Sequence, residues 1–421
     1  MCRVRFMSSI SMGSRVSTAG SGAGSTRDFG KIRARRQWWT PGPRAAVRAV
    51  RHRAQPMNPQ NSPRSELPLT GIRVIDFTTL LPGPLATLML KRAGAEVIKI
   101  EPPGGDPMRT LLNDGGAAFE LLNAGKRSVV ADLKRDEERA AILALCRDAD
   151  VVIEQFRPGV MDRLGLGYAA LAADVPSIVY TSITGYGQHG ANRTLAGHDI
   201  NYLAESGLFS LFSAEDGAPW VPPVLLADVV GGAYPAFSNT LLALLRLWRH
   251  GKGAYVDIAM TRGLQALSVS AVAGHVADVS SAAATPLDGS RANYRCYRCA
   301  DGAWLAIGAL EAKFWSRLCE LIGVEHRLRR CDPSDSDVVA ELDATFRTRP
   351  LNDWLALFEG QDVCCSGVRS LPDVLQELAV DATRNLPLPL APCFDRAVGE
   401  APSPGEGNLE FLGGVSNGGA R

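Results

Sequence analysis

Two segments of the sequence place an ionisable side chain where it could move a proton. His198 lies in the segment Gly197-His-Asp-Ile-Asn-Tyr202, at the expected start of a helix, where the helix dipole favours a neutral imidazole. Asp228 is the only charged residue between Val221 and Gly232, and burial of an unpaired carboxyl group raises its pKa. A neutral imidazole accepts a proton and a protonated carboxyl group donates one, so both residues are candidates for acid–base catalysis.

Each candidate also has a purely structural interpretation. His198 could belong to a capping turn in which Asp199 is the N-cap residue of the next helix. Asp228 could be a helix N-cap whose carboxylate accepts backbone hydrogen bonds. Glu311, a third candidate, follows the apolar strand expected at 304–309 and could be a first-turn residue that favours the helix dipole. Spacing alone leaves these alternatives open.

Two glycines follow Asp228 closely in the sequence. Gly231 and Gly232 would let a ligand approach the backbone, because neither carries a Cβ atom. A helix that starts at this point could also offer N–H groups to a developing oxyanion.

The sequence lacks the signatures of several other kinds of site. The pair Cys296 and Cys299 has no second Cys or His pair at ligand spacing, so we expect no metal site. No GxGxxG follows the first predicted strand, and Gly125-Lys-Arg-Ser128 lacks the upstream glycine of a P-loop. A nicotinamide dehydrogenase or an NTPase is therefore not expected.

Short apolar strands alternate with helices from residue 67 onward. We predict strands at Gly71–Phe77, Glu96–Ile100, Arg127–Leu133, Asp150–Phe156 and Ser177–Thr184, and helices at Leu85–Ala93 and Asp136–Arg147. Nearly continuous apolar strands separated by helices are typical of a parallel sheet that is covered on both faces. The predicted fold class is α/β, with a large, doubly wound, Rossmann-like parallel-sheet domain.

A change of pattern near residue 256 predicts a smaller α+β domain. Asp301-Gly302 is a strong hairpin turn between strands at Tyr294–Tyr297 and Ala303–Ile307. Amphipathic helices are expected near Glu311–Ile322, Val338–Arg347 and Leu351–Phe358. The predicted organisation is a disordered basic extension at 1–66, the large domain at 67–255, linkers and the small domain at 256–365, and a segment at 366–421 that returns to the large domain.

The formal net charge of +1 conceals two unlike parts of the chain. Residues 1–56 hold 12 Lys and Arg residues and a single acidic residue, Asp28, whereas the rest holds 33 basic and 43 acidic residues. Four interpretations of the basic part are open. It could be a translated segment upstream of a true start at Met57, a transit peptide or a disordered tail. The least favoured interpretation is a nucleic-acid-binding arm.

The remaining composition indicates an ordinary globular protein without nucleic-acid or membrane partners. The most apolar stretch, Val221–Trp248, is interrupted by Asp228, a glycine pair, Asn239 and Arg246, so no membrane span is expected. Nine cysteines at irregular spacing favour a reducing compartment. We predict a cytoplasmic protein, or one of an organelle matrix if residues 1–56 are a transit peptide.

Several motifs occur in the order found in a known superfamily. They are Leu69-Thr-Gly-Ile-Arg-Val-Ile-Asp76, Pro82-Gly-Pro84, Gly94-Ala-Glu-Val-Ile-Lys-Ile-Glu-Pro-Pro103, Gly125-Lys-Arg-Ser128, Phe156-Arg-Pro-Gly-Val160, Thr184-Gly-Tyr-Gly-Gln188 and Gly251-Lys-Gly253. Between about Leu67 and Val374 the chain thereby resembles the family III CoA-transferase/racemase superfamily. The segments around His198, Asp228 and Glu311 look like its α-methylacyl-CoA racemase branch.

The resemblance implies an interlocked homodimer that binds an acyl-CoA in the cleft between a large Rossmann-like domain and a small one. It implies epimerisation at the α-carbon of a 2-methyl-branched acyl-CoA, with His198 and Asp228 on opposite faces of that carbon. Glu311, from the small domain of the other chain, would orient His198. CoA is then part of the substrate, and no prosthetic group or metal is implied.

The resemblance also assigns residues to the CoA moiety. They are Asp132, Leu133 and Lys134 near the adenine, Gln155, Phe156 and Arg163 along the pantetheine and phosphates, and Gly197, Asp199, Asn201 and Tyr202 at the thioester end. Lys99, Arg109, Lys126 and Arg127 are further phosphate candidates. The chain departs from many relatives at Pro102 and Ala124, where those relatives carry Arg.

Two other functions remain open at the level of the sequence. In a CoA transferase, Asp228 would attack the thioester as a nucleophile and form an acyl anhydride and then a CoA thioester. A histidine in the setting of His198 favours the racemase over the transferase. A non-catalytic acyl-CoA binder is the third alternative.

Overall fold

The computed structural model describes residues 67–212, 217–277, 287–324, 328, 331–377 and 386–413. The basic extension predicted at 1–66 lies outside the described residues. Within the described part, a six-stranded parallel sheet forms the large domain and a three-stranded antiparallel sheet forms the small one. The predicted α/β fold class with a large parallel sheet is thereby confirmed.

The strands of the large sheet lie in the order β3-β2-β1-β4-β5-β6. They are β1 (Arg73–Asp76), β2 (Glu96–Glu101), β3 (Arg127–Val130), β4 (Val151–Glu154), β5 (Val179–Thr184) and β6 (Ala254–Ala259). The winding reverses between β1 and β4, and α/β sheets bind ligands beyond the carboxyl ends of the strands at such a point. This edge of the sheet is therefore the expected place for a site.

Strand β6 was not among the predicted strands. It is an edge strand that pairs with β5, and its residues Tyr255 and Asp257 are exposed. An edge strand with exposed polar residues has a weaker apolar signal than a central one. The sheet consequently extends to Ala259, beyond the domain boundary predicted at 255.

Helices cover both faces of the large sheet. Helix α1 (Pro82–Arg92) begins at Pro82-Gly-Pro84, where the proline rings fix the backbone angle φ, and is followed by Gly94, whose φ is +110°. The other helices of this domain are α2 (Met108–Leu111), α3 (Ala117–Asn123), α4 (Asp136–Arg147), α5 (Val160–Arg163), α6 (Tyr168–Asp174), α7 (Asp199–Glu205), α8 (Tyr234–His250), α9 (Met260–Leu264) and α10 (Val269–Val276).

Successive strand residues point to two separate apolar cores. Val74, for example, belongs to the core that includes residues of α1 and α8, whereas its neighbour Ile75 belongs to the core that includes residues of α4 and α6. Burial of both faces explains why these strands are apolar at nearly every position. Among the described residues, no helix is both long and apolar enough to cross a membrane.

The small domain contains strands β7 (Tyr294–Arg298), β8 (Trp304–Gly308) and β9 (Cys365–Gly367). The predicted hairpin is confirmed, and Gly302 takes a φ of +82° in its turn. Its helices are α11 (Ala312–Leu321), α12 (Ser336–Phe346), α13 (Leu351–Phe358) and α14 (Leu371–Glu377). The core of the domain is formed by large side chains such as Tyr297 and Trp354.

The C-terminal segment returns to the large domain, as predicted. Arg92 of α1 donates two hydrogen bonds to Asp395, at 2.5 and 2.6 Å. Asn408, at the start of α15 (Asn408–Leu412), accepts a bond from Val130 N at 2.8 Å and donates one to Val130 O at 2.9 Å. This side chain thereby pairs with the edge of β3.

Candidate active site

Several candidate residues lie on loops that leave the carboxyl ends of strands of the large sheet. Asp132 follows β3, Gln155 and Phe156 follow β4, and His198 is reached from β5 by the loop at 185–197. Because the strands are parallel, all these loops emerge at the same edge of the sheet.

His198 is the N-cap residue of α7, and its backbone is extended. Its N–H donates to the side chain of Asn201 at 3.0 Å, which fixes the start of the helix. The side chain of His198 is exposed. The expectation that Asp199 caps this helix was wrong, since Asp199 is the first residue inside it.

Tyr202 holds the loop before α7 against the protein. Its hydroxyl donates to Gly197 O at 2.5 Å, and its ring edge lies where a Cβ atom on Gly185 or Gly197 would be, at 2.1 and 2.6 Å. Burial raises the pKa of Tyr202 to about 12. The hydroxyl therefore remains a hydrogen-bond donor at neutral pH, and both glycines are required by its packing.

Asp228 lies in the first turn of a π-helical segment, Ala227–Ala233, that continues directly into α8. π-helical turns within α-helices are frequent at functional sites. The glycines after Asp228 serve packing: a Cβ atom on Gly231 would lie 2.4 Å from Met260 O, and one on Gly232 would lie 3.0 Å from Pro82 Cβ. The backbone at these two glycines is therefore closely approached by α9 and α1. This corrects the prediction that a ligand approaches the backbone there.

Asp199 connects the two candidate catalytic segments. Its Oδ1 accepts a hydrogen bond from Asp228 N at 2.9 Å, and its carboxylate also accepts one from Ala227 N. Because both N–H groups already donate to Asp199, they are not free to stabilise an oxyanion. The sequence had suggested that they would be free. The segment that carries His198 is thereby attached to the segment that carries Asp228.

The electrostatic environment suits Asp228 to proton transfer. Burial, together with the nearby Asp199 carboxylate, raises the pKa of Asp228 to about 7. Burial also raises the pKa of Asp199, although its two backbone hydrogen bonds act in the opposite direction. The raised pKa that the sequence predicted for Asp228 is thus found, with a second carboxylate as an additional cause.

Glu311 lies in the small domain, as the N-cap residue of α11, with an exposed side chain. Its backbone carbonyl accepts hydrogen bonds from Phe314 and Trp315 at 3.0 and 3.1 Å. Its orienting role toward His198 of another chain stays a prediction.

Two of the predicted cations are available to a ligand at the carboxyl edge. Lys134 and Arg163 have exposed side chains, and neither forms an ion pair with a residue that the structure describes. Gln155 is half-buried, and its Oε1 accepts a bond from Gly83 N at 3.1 Å, so it lies on the α1 side of the sheet. Asp132 and Leu133 are also half-buried, and Asp132 Oδ1 accepts from Lys134 N at 3.0 Å.

Two other predicted phosphate ligands, Lys99 and Lys126, are buried and satisfied inside the protein. Lys99 pairs with Asp106 at 2.8 Å, and Lys126 lies 3.3 Å from Asp76 while donating to three neutral oxygens. Both side chains are fully shielded from solvent. This corrects their assignment, because neither ammonium group can reach a phosphate without unpairing a buried carboxylate.

Arg109 and Arg127 are also engaged elsewhere. Arg109 donates two bonds to Glu101 and one to Pro402 O, and its guanidinium lies over the ring of Phe119 at 3.6 Å. Arg127 pairs with Glu410 of the C-terminal segment. These arginines anchor chain segments, which corrects their assignment as phosphate ligands.

Sequence reasoning missed the contribution of Asp199 to the environment of Asp228. The only signal was an acidic residue directly after a histidine at a helix start, which indicates a cap and gives no long-range partner. No group of three or more His, Cys, Asp or Glu side chains in the described ranges is arranged to hold a metal ion.

Comparison with known proteins places this arrangement in a family. Residues 69–386 match the model of "CoA-transferase family III". The chain is 33% identical over 362 residues to the α-methylacyl-CoA racemase of Mus musculus, covering 82% of this chain and 92% of that protein. It is 32% identical to succinyl-CoA:glutarate CoA-transferase of Mus musculus, covering 76% and 77% of the two chains.

A solved structure has the same fold. The orthorhombic form of Rv3272 from Mycobacterium tuberculosis superposes with a TM-score of 0.72 at 29% identity, covering 82% of this chain and 98% of that one. The residues matched by the family model, 69–386, include the large sheet, the loops with His198 and Asp228, and the small domain. The chain therefore belongs to the CoA-transferase family III, a family of enzymes that includes both racemases and CoA transferases.

Proposed function

We propose that this enzyme epimerises the α-carbon of a 2-methyl-branched acyl-CoA by two-base proton transfer. The observation that carries the proposal is the connection of His198 and Asp228 through Asp199, together with the pKa of about 7 for Asp228. A carboxyl group near half-protonation at neutral pH serves as an acid in one direction and as a base in the other.

In one direction, the His198 imidazole takes the α-proton and leaves an enolate of the thioester. Protonated Asp228 then delivers its own proton to the opposite face of the same carbon. The turnover leaves an imidazolium and a carboxylate, and exchange with solvent restores the starting protonation. In the reverse direction the Asp228 carboxylate is the base and the imidazolium is the acid.

The CoA moiety would lie along the carboxyl edge of the sheet. Lys134 and Arg163 are exposed cations there, on the loop after β3 and in α5 after β4. Charge-assisted hydrogen bonds to phosphate are strong, so two such residues can fix the position of the nucleotide. Glu311 of the second chain in a homodimer would complete the site by orienting His198.

Deuterium exchange tests this proposal directly. Incubation of the enzyme with one epimer of a 2-methylacyl-CoA in D₂O should yield both epimers with deuterium at the α-carbon. His198→Ala and Asp228→Asn should each lower the exchange rate by about three orders of magnitude. The exposed His250, at the end of α8, provides a matched control. The His250→Ala variant should catalyse α-deuterium exchange at the same rate as the unaltered enzyme.

A CoA transferase is the second candidate, because a relative at 32% identity carries that name. In that reaction the Asp228 carboxylate attacks the thioester carbonyl, and CoA leaves and later returns to a different acyl group. The same variants separate the two reactions. Transfer of CoA to an added carboxylic acid that survives His198→Ala but is lost in Asp228→Asn, without α-deuterium uptake, would replace the racemase proposal by this one.

A further inference from the structure

A second cavity lies on the face of the sheet opposite to α1. Its volume is about 450 Å³, and its lining includes three buried residues, which we call the floor: Glu154, Tyr180 and Ser182. The exposed Tyr255 lies beside them, with its hydroxyl 3.3 Å from Ser182 Oγ. Gln155, the next residue after Glu154, bonds to Gly83 on the α1 side of the sheet. Since successive strand residues point to opposite faces, Glu154 and this cavity lie away from the α1 side, where the π-helical segment of Asp228 packs.

The floor of this cavity carries a buried carboxyl group without a cationic partner. Glu154 is 4% exposed and forms no ion pair within the described part of the chain. Its oxygens accept bonds from Ser182 Oγ and from Phe156 N, and each oxygen keeps a free lone pair. Burial, with the carboxylates of Asp162 and Asp257 nearby, raises the pKa of Glu154 to about 7.

Three tyrosine rings form the wall next to this carboxyl group. Tyr168 stacks on Tyr255 with ring centroids 5.1 Å apart, and Tyr180 lies 5.9 Å from Tyr255 and 6.0 Å from Tyr168. The faces of such rings attract a cation that is held over them. A carboxyl group next to tyrosine rings is a suitable receptor for an ammonium group.

The mouth of the cavity has the opposite charge. Arg157, His189 and Arg193 line it and are exposed, and none of them forms an ion pair with a described residue. A simple anion would be favoured at the mouth but repelled by the carboxyl groups at the floor. A simple cation would be favoured at the floor but repelled by the arginines, so the two ends together select a molecule that carries both charges.

We propose that this cavity binds a small zwitterion, with its ammonium group at Glu154 and the tyrosine rings and its carboxylate at Arg157 and Arg193. The proposal does not rest on the reaction proposed for His198 and Asp228. Its ligand class is the amino carboxylates, which carry the two charges on one short chain.

Calorimetric titration with glycine, β-alanine, 4-aminobutyrate and 6-aminohexanoate tests the proposal. At least one of these probes should bind with a dissociation constant in the millimolar range, whereas butanoate and butylammonium at the same concentrations should not. Glu154→Gln and Arg193→Ala should each weaken the binding by about tenfold or more. The exposed Glu120 provides a control, since Glu120→Gln should bind as the unaltered protein does.

Arg193 is on an exposed loop, so its variant keeps the test decisive if the change at Glu154 disturbs folding. The inference is overturned if no zwitterion binds, or if the Glu154→Gln and Arg193→Ala variants bind the probe as tightly as the unaltered protein does. Competition with CoA separates the cavity from the proposed substrate site. Displacement of the probe by CoA would assign the arginines to the CoA site and would also overturn it.

Discussion

The backbone N–H of Asp228 donates to the side chain of Asp199 across 2.9 Å, and Asp199 directly follows His198 in the chain. One carboxylate therefore does two things: it attaches the loop of one candidate catalytic residue to the helix of the other, and its charge disfavours ionisation of Asp228. The relative position of the two segments and part of the raised pKa of Asp228 therefore depend on the same residue.

Removal of the charge on Asp199 should change the pH dependence of the reaction. In the direction where Asp228 is the acid, exchange falls as pH rises through its pKa of about 7. Asp199→Asn keeps the hydrogen-bond acceptor but removes the charge, so this fall should move to lower pH by about one unit. Asp199→Ala should in addition lower the exchange rate about tenfold or more, because the acceptor is lost. Profiles of α-deuterium exchange against pH measure both effects, and an unaltered profile in Asp199→Asn contradicts the argument.

Asp228 should also make stability depend on pH. Its folded-state pKa of about 7 lies above the ordinary value of 3.8, so the folded protein binds more protons than the unfolded chain between these values. The free energy of unfolding therefore falls as pH rises from about 4 to 7, and this contribution is fully lost above pH 7. Between pH 5 and pH 8 the free energy of unfolding, measured in urea, should fall by about 2–3 kcal/mol more in the unaltered protein than in Asp228→Asn. Asp148→Asn is an exposed change at the end of α4 and serves as the control. Its free energy of unfolding should fall between pH 5 and pH 8 by as much as that of the unaltered protein.

Much of the fold follows from local patterns in the sequence. The central strands are apolar at nearly every position because both faces of the sheet are covered, and turns such as Asp301-Gly302 mark strand ends. Edge strand β6 did not follow, because its exposed Tyr255 and Asp257 dilute the apolar signal. Residue type and position thus predicted buried strands and failed where one side of a strand meets solvent.

The sequence predicted the candidate acid–base residues but only part of their surroundings. The apolar run around Asp228 signalled burial, and burial is the largest cause of its raised pKa. The sequence could not show that Lys99 and Lys126 are internal, because a lysine within a motif looks the same whether its partner is a phosphate or a buried aspartate. Asp106 and Asp76 reach them only through the tertiary fold.

The buried pair of Lys126 and Asp76 should contribute to stability and have no part in substrate binding. Lys126→Met leaves the Asp76 carboxylate without its cation in the protein interior, which should lower the free energy of unfolding by about 3–5 kcal/mol. Combining Asp76→Asn with Lys126→Met should restore part of this loss. Urea unfolding of both variants measures the effect. Equal stability of Lys126→Met and the unaltered protein would return Lys126 to the set of candidate ligands.

The exposed cations at the carboxyl edge, unlike Lys126, should contribute to CoA binding and not to stability. Lys134→Ala and Arg163→Ala should each raise the dissociation constant for CoA by about tenfold and leave the melting temperature unaltered, since both side chains face solvent. Lys252, exposed before β6, provides the control. Fluorescence or calorimetric titration with CoA measures these constants, and variants that bind CoA as tightly as the unaltered protein contradict the proposed position of the nucleotide.

Asn408 should stabilise the edge of the large sheet. Asn408→Ala removes both bonds to Val130 and exposes the backbone of β3, which should cost about 1–3 kcal/mol. The exposed Asn352 of α13 makes a suitable control, since Asn352→Ala should have little effect. Chemical unfolding gives the difference in free energy. Hydrogen exchange at Val130 N–H, which the variant should accelerate, locates the effect at the edge strand.

The contact between Val130 and Asn408 joins positions that are 278 residues apart in the chain. Ribosomal synthesis delivers β3 long before its covering residue, so the nascent large domain carries an open sheet edge until Asn408 has been made. Closure then requires a very long loop to be ordered, a step that is slow compared with pairing of neighbouring strands. Chains that terminate prematurely keep the edge unprotected, and an unprotected edge is a template for association with other unfinished copies.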